Sequence, residues 1–157
     1  MMTFTSPSKG RLSFDEVFKD MMSYIQEEPE ASYKLIIGTD SQLREETAFV
    51  TAIIVHRQGK GARYYYSREH ERINRSLRQR IFYETSRSLG VASKLAEKLA
   101  ENGHSDFDIE IHLDVGPNGP TKELIRELIR MVVGSGFDAR IKPHSYGASK
   151  VADKYTK

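Results

Sequence analysis

Leu35, Ile36 and Ile37 make a short apolar run, Tyr33 sets an aromatic ring ahead of it, and Gly38 ends it two residues before Asp40. A short apolar run bounded by turn residues reads as a buried strand. A carboxylate at the end of such a strand is costly to desolvate unless it is paired or binds a cation. Two readings of Asp40 follow. Either it is a turn residue that caps the strand end, or it belongs to a group of acidic side chains that meet there. Where the chain brings its other carboxylates separates the two.

Residues 1–12, rich in Ser, Thr, Pro and Gly, read as a flexible leader. Ser13 and Glu16 have capping-box spacing. Phe14, Val17, Phe18, Met21, Met22 and Ile25 recur at helical intervals, so an N-terminal helix is expected over 13–28, its Met-rich stripe facing the core. β-branched and aromatic runs predict strands over 33–40, 48–56 and 62–67, joined by a turn through 43–46 and by Gly59-Lys60-Gly61. Alternation places Tyr64 and Tyr66 on one face of the third strand and Tyr65 on the other. A long helix is expected from Ile73 to Asn102, stopped by Gly103. Strands over 108–114 and 137–142 flank a helix striped by Leu124, Ile125, Leu128, Ile129, Val132 and Val133. A last short helix begins at Ala148 and carries Asp153. Hairpin connections make the first three strands antiparallel, and helical connections make the later ones parallel. The expected fold is α/β: a five-stranded mixed sheet flanked by helices, with an extra N-terminal helix, in one domain over 13–157.

Composition narrows the chemistry. The chain has 157 residues, 38% of them hydrophobic, which is enough for one core. It has no cysteine, so disulfides and thiolate zinc sites are excluded. No apolar segment approaches the roughly 20 residues that span a bilayer, and the N-terminus lacks a signal-peptide core. A cytoplasmic protein with no membrane association is expected. The net charge is +2, but residues 57–87 hold 9 basic and 3 acidic side chains, against 5 and 9 in the first 56 residues. Such a block attracts phosphate backbones or is a solvated helix face. On the first reading Arg57, Lys60, Arg63, Arg75 and Arg78 bind nucleic acid.

Asp114 ends the fourth strand as Asp40 ends the first. If these strands are parallel neighbours, their carboxyl ends lie about 4.8 Å apart, at the sheet edge where α/β folds bind ligands. Glu84 lies on the apolar seam of the long helix, three residues after Ile81 and four before Ser88. A carboxylate on a face that meets the sheet marks a functional site, unless its head reaches solvent at the edge of the stripe. Asp153 follows a loop at the same edge. Carboxylates crowded into one pocket raise one another's pKa. Mg²⁺ or Mn²⁺ relieves this, and oxygen-only ligation suits those ions. Two such ions hold a phosphodiester for in-line attack by water. The pattern points to phosphoryl chemistry on nucleic acid.

This order of elements, with Asp40 ending strand one, Glu84 in the first long helix, Asp114 ending strand four and Asp153 in the last helix, resembles the ribonuclease H-like fold and its Asp-Glu-Asp-Asp metal site. Ile-Gly-Thr-Asp-Ser-Gln, Ile-Val-His-Arg-Gln-Gly-Lys-Gly and Lys-Pro-His-Ser-Tyr-Gly-Ala-Ser-Lys-Val-Ala-Asp-Lys are similar to the uncharacterised bacterial YkuK-like branch of that superfamily, over about residues 12–157. The resemblance implies that Asp40 is shared by two metals, that Glu84 and Asp114 complete the positions, and that Asp153 holds the second ion loosely. It also implies a catalytic role for His144, in the loop before the last helix, in proton transfer or product release; a solvent-exposed loop histidine is the competing reading. Glu84 falls late in a helix that starts at Ile73. Either the helix starts nearer Leu77, or Glu69 or Glu71 takes its place. His56 and His112, on strands, are expected to be structural.

Three functions compete. The first is a Mg²⁺- or Mn²⁺-dependent nuclease acting on RNA, RNA–DNA hybrid or structured DNA. The second is a non-catalytic nucleic-acid-binding module of the same fold. The third is nucleotide hydrolysis, for which the loop Gly116-Pro-Asn-Gly119 could approach a phosphate, although no Walker-type loop accompanies it.

Overall fold

The computed structural model describes residues 2–42, 46–72, 76–142 and 144–145. Three long strands form its centre. β3 (Tyr33–Gln42) pairs antiparallel with β4 (Thr47–Arg57), and β4 pairs antiparallel with β5 (Ala62–Glu71). The turn between β4 and β5 needs two glycines, because Gly59 and Gly61 both hold positive φ, 77° and 101°. Its closing bond runs from the Arg57 N–H to the Gly61 carbonyl at 2.9 Å.

β6 (Ile109–His112) lies parallel to β3 on its other side, with Ile37 opposite Ile111, and β7 (Asp138–Arg140) lies parallel to β6. The sheet order is β2-β1-β5-β4-β3-β6-β7. The five expected strands are its core, arranged as predicted. Two more come from the segment expected to be a flexible leader: β1 (Phe4–Ser6) and β2 (Gly10–Leu12) form a hairpin that pairs with β5 through Thr5 and Tyr66. That expectation is corrected. Phe4 and Leu12 face each other across the hairpin, Phe4 is fully buried, and its ring lies 6.1 Å from Phe14. Two apolar side chains among Ser, Thr and Gly give this segment a face to bury, which its average composition conceals.

Three helices cover one face. α1 (Phe14–Glu27) starts at Ser13 with both capping-box bonds, Glu16 N–H to Ser13 Oγ at 3.2 Å and Ser13 N–H to Glu16 Oε1 at 2.9 Å. Its Met21 and Met22 are buried with Leu35, Ile37, Ile53 and Tyr65, so the Met stripe faces the core. α2 (Leu77–Glu101) begins at Ser76, whose Oγ accepts the Gln79 N–H, and so starts at Leu77. A short 3₁₀ turn (Lys122–Leu124) leads into α3 (Ile125–Gly134). On the opposite face Ile36, Ala52 and Ile54 form a small apolar cluster with Tyr64 against it. Tyr65 points the other way and is fully buried, as alternation requires. The helix expected after Ala148 lies outside the described residues. No described helix is long and apolar enough to cross a membrane.

A buried charge ties the N-terminal hairpin, α1 and β5 together. Asp20, on the inner side of α1, accepts a hydrogen bond from Tyr65 Oη and pairs with Arg63 at 3.4 Å and with Lys9 at 3.1 Å. Burial pushes its carboxyl up, but the Tyr65 bond and the two cations outweigh burial and hold it below its usual 3.8. Tyr65→Phe leaves Asp20 short of a donor in a buried place. Urea unfolding at pH 7 should show a loss of about 1–2 kcal/mol. A carboxyl with a lowered folded pKa contributes its stability above the unfolded value and loses it as pH falls through the folded one. The gap between wild type and variant should therefore narrow below pH 3.8.

Candidate functional site

The carboxyl ends of β3 and β6, the first turns of α2 and the loop after Asp114 enclose a cavity of about 240 Å³. Asp40, Glu84 and Asp114 all line it, with Ser41, Arg80 and Lys142. Asp40 lies two residues before the end of β3, half-buried, and its Oδ1 accepts the Ser41 N–H at 2.9 Å. Asp114 lies two residues past β6, where Leu113 N–H still bonds to Arg140 O at 2.8 Å. The parallel pairing of β3 with β6 thus brings both aspartates to one edge.

Glu84 arrives from α2. Ser41 Oγ donates a short hydrogen bond to Glu84 Oε2, and four residues further along the helix Ser88 Oγ lies 2.7 Å from Thr39 Oγ1. Thr39 Oγ1 also shares a hydrogen bond with Thr51 Oγ1 at 3.0 Å. Two residues of strand advance about 6.8 Å and four residues of helix about 6 Å, so the two polar pairs match as α2 runs against β3. Glu84 is only 7% exposed. Burial raises its pKa well above 4.5; Asp40 and Asp114 add to this, and the Ser41 bond and Arg80 oppose it. Starting α2 at Leu77 places Glu84 two turns into the helix. Glu69 is engaged elsewhere, its Oε2 bound by Arg87 Nη1 at 2.6 Å.

Positive charge in the cavity comes from the chain itself. Lys142 Nζ lies 2.7 Å from Asp114 Oδ1. That bond raises the ammonium pKa; burial opposes the rise, and the charges of Asp114, Asp40 and Glu84 reinforce it. Lys142 N–H bonds to Val115 O at 2.8 Å, and a Cβ on Gly116 would come within 3.2 Å of Lys142 Cβ, so the loop passes this closely because residue 116 has no side chain. Arg80, four residues before Glu84 and on the same side of α2, has a buried Nε without a hydrogen-bond partner among the described residues. No group of three or more His, Asp or Glu side chains among the described residues is drawn together tightly enough to hold a metal. Glu84 turns to Ser41 and Asp114 to Lys142, although both line one cavity with Asp40. The donors are all hard oxygens, and a buried Glu beside two aspartates fits Mg²⁺ or Mn²⁺ by chemistry.

The basic block divides in two. Arg57 is 8% exposed, its guanidinium 3.9 Å above the Tyr24 ring, with bonds to Tyr24 O at 2.7 Å and Tyr33 Oη at 3.1 Å. Lys60 pairs with Glu28 at 3.0 Å, and Arg63 with Asp20. Arg57 lies opposite Tyr33 in the sheet, seven residues from Asp40 and so about 24 Å away along β3. These three side chains anchor α1 at the far end of the sheet. Arg78, next in sequence to Leu77 of the cavity lining, is exposed and paired with Glu127 at 3.2 Å. Arg75 and Asp153 lie outside the described residues. His144 is exposed, its N–H bonded to Ile141 O at 2.7 Å. His112 is buried, Nε2 3.2 Å from Glu110 Oε1, as a structural histidine should be.

Sequence reasoning missed Ser41, Arg80 and Lys142. Arg80 was within its reach, being one helical turn from Glu84. Lys142 was not, because its place depends on the pairing of β7 with β6.

Glu84→Gln keeps the shape and an acceptor for Ser41 while removing the charge. Since the folded pKa is raised, the cost of burying the charged Glu84 is absent below pH 4.5, grows as pH rises from there towards the folded value, and is constant above it. The metal-free variant should melt several degrees above wild type at pH 8 and level with it at pH 4. Equal melting temperatures at pH 8 would mean that Glu84 carries no desolvation cost.

Residues 16–157 match the model for a family described as Ribonuclease H-like. The chain is also 36% identical over 167 residues to "Uncharacterized protein YkuK" of Bacillus subtilis (strain 168), an alignment that covers 98% of this chain and 96% of that protein. No solved structure matches.

Proposed function

We propose, from the premise that this chain belongs to the ribonuclease H-like family, that it is a Mg²⁺- or Mn²⁺-dependent nuclease hydrolysing phosphodiester bonds in RNA, RNA–DNA hybrid or structured DNA. The observation that carries the reading is the meeting of Asp40, Glu84 and Asp114 in one cavity at the carboxyl ends of parallel β3 and β6. Those three residues, with Asp153, would hold the metal. When bound, it supplies charge neutralisation and an acidified water. The chain's own part is positional. Ser41 orients Glu84, the β3–β6 pairing sets Asp40 beside Asp114, and the unpartnered Arg80 Nε offers a donor to an anionic phosphate oxygen. His144, exposed two residues past Lys142, would assist proton transfer.

The decisive experiment is cleavage of a panel of hybrid, single-stranded, duplex and junction substrates with Mg²⁺ or Mn²⁺. Wild type should cut at least one substrate, and Asp40→Asn should lose roughly a hundredfold or more. Equal rates in the two proteins would remove Asp40 from the chemistry.

A second reading is a binding module of the same fold without catalysis. It is favoured by the carboxylates' standing apart, with Lys142 already neutralising Asp114. Binding without cleavage in any metal, unchanged in Asp40→Asn, would establish it.

Both readings place the phosphate grip around the cavity and not at the β4–β5 turn. Arg78→Ala should weaken nucleic-acid binding several-fold and reduce the salt slope by about one. Lys60→Ala should leave both unchanged. Fluorescence anisotropy across a salt series checks the pair.

A further inference from the structure

The nuclease reading gives Lys142 no role. It follows β7, its ammonium lies 2.7 Å from Asp114 Oδ1, and it lines the same cavity as Asp40 and Glu84. Its stem is held from below. The backbone N–H bonds to Val115 O, and the Cβ lies against Gly116, where any larger residue would crowd it. Its head is not held in the same way. The side chain is 57% exposed, and Asp114 is the partner within ion-pair distance. A cation thus stands in an acidic cavity on a fixed base, with a free path to solvent.

We propose that Lys142 is a tethered counter-ion that competes with the divalent metal for Asp114. This rests on the metal-site reading above. In the metal-free protein the ammonium lowers the repulsion among Asp40, Glu84 and Asp114. A metal that takes Asp114 comes against an ammonium already 2.7 Å from Oδ1, and the two cations repel each other, so metal binding works against the ion pair. An ammonium displaced from Asp114 stays on its tether at the cavity mouth. Lys142 is therefore a positioning residue that sets metal affinity, and not a metal ligand.

The competition separates two quantities that a purely structural role would move together. Removing the ammonium should destabilise the metal-free protein, yet tighten its hold on metal. Mn²⁺ binding to wild type, Lys142→Met and Lys142→Gln is measured by titration calorimetry, and melting temperatures are recorded with chelator present. Both variants should bind Mn²⁺ about five- to tenfold more tightly, the worth of one partly exposed ion pair amid extra negative charge. Both should melt lower than wild type in chelator. The gain in affinity should disappear when Asp114→Asn is added to either variant. If wild type binds Mn²⁺ and neither variant binds it more tightly, the competition is overturned and the metal site stands. If none of the proteins binds Mn²⁺, both the competition and the metal site are overturned.

Discussion

The contact between α2 and β3 is what the candidate site depends on. Thr39 and Ser41 point to the helix side of β3, and Ser88 and Glu84 meet them from α2. Helix and strand have different repeats, but two residues of one and four of the other cover nearly the same distance. The polar pairs therefore stay in register over two contacts. Thr51 completes the buried hydroxyl group, so each of these oxygens has a partner. This polar strip within an apolar core sets the depth of α2 against the sheet. It brings a glutamate to a place where aliphatic packing alone would leave a leucine.

Electrostatic strain at the cavity follows from that placement. Glu84 is buried because its helix is, and the β3–β6 pairing sets two more carboxylates around it. The same cavity holds Arg80 and Lys142. The molecule thus balances three acids with two bases of its own, of which Lys142 is the more exposed. A permanently paired structural cluster looks different, as Asp20 shows. There Tyr65, Arg63 and Lys9 close around one carboxylate and hold its pKa down.

The basic block shows how far linear charge counting reaches. Nine cations in thirty-one residues read as one surface, but β5 carries the block from one end of the sheet to the other. Arg57, Lys60 and Arg63 are carried to one end of the sheet, and Arg78 and Arg80 to the other. Arg57 is held inward by the rings of Tyr24 and Tyr33, whose faces attract a guanidinium. Nothing in the local sequence marks it as different from its neighbours. Tyr24 belongs to α1 and Tyr33 to β3, and only their packing makes the slot.

By itself the sequence determined the element order, the antiparallel start and parallel finish of the sheet, the capping of α1, the inward Tyr65 and the coming together of Asp40, Glu84 and Asp114. These are legible because each rests on local periodicity, on connection length, or on a charge placed where an apolar residue belongs. The tertiary structure alone decided the rest. It turned residues 4–12 into a docked hairpin through two apolar side chains, and it split the basic block between opposite ends of the sheet. It also brought Lys142 to Asp114 across 28 positions of chain. The physical reason is common to all three. Each depends on partners supplied by a distant strand or helix, and a side chain's surroundings do not exist until those elements pack.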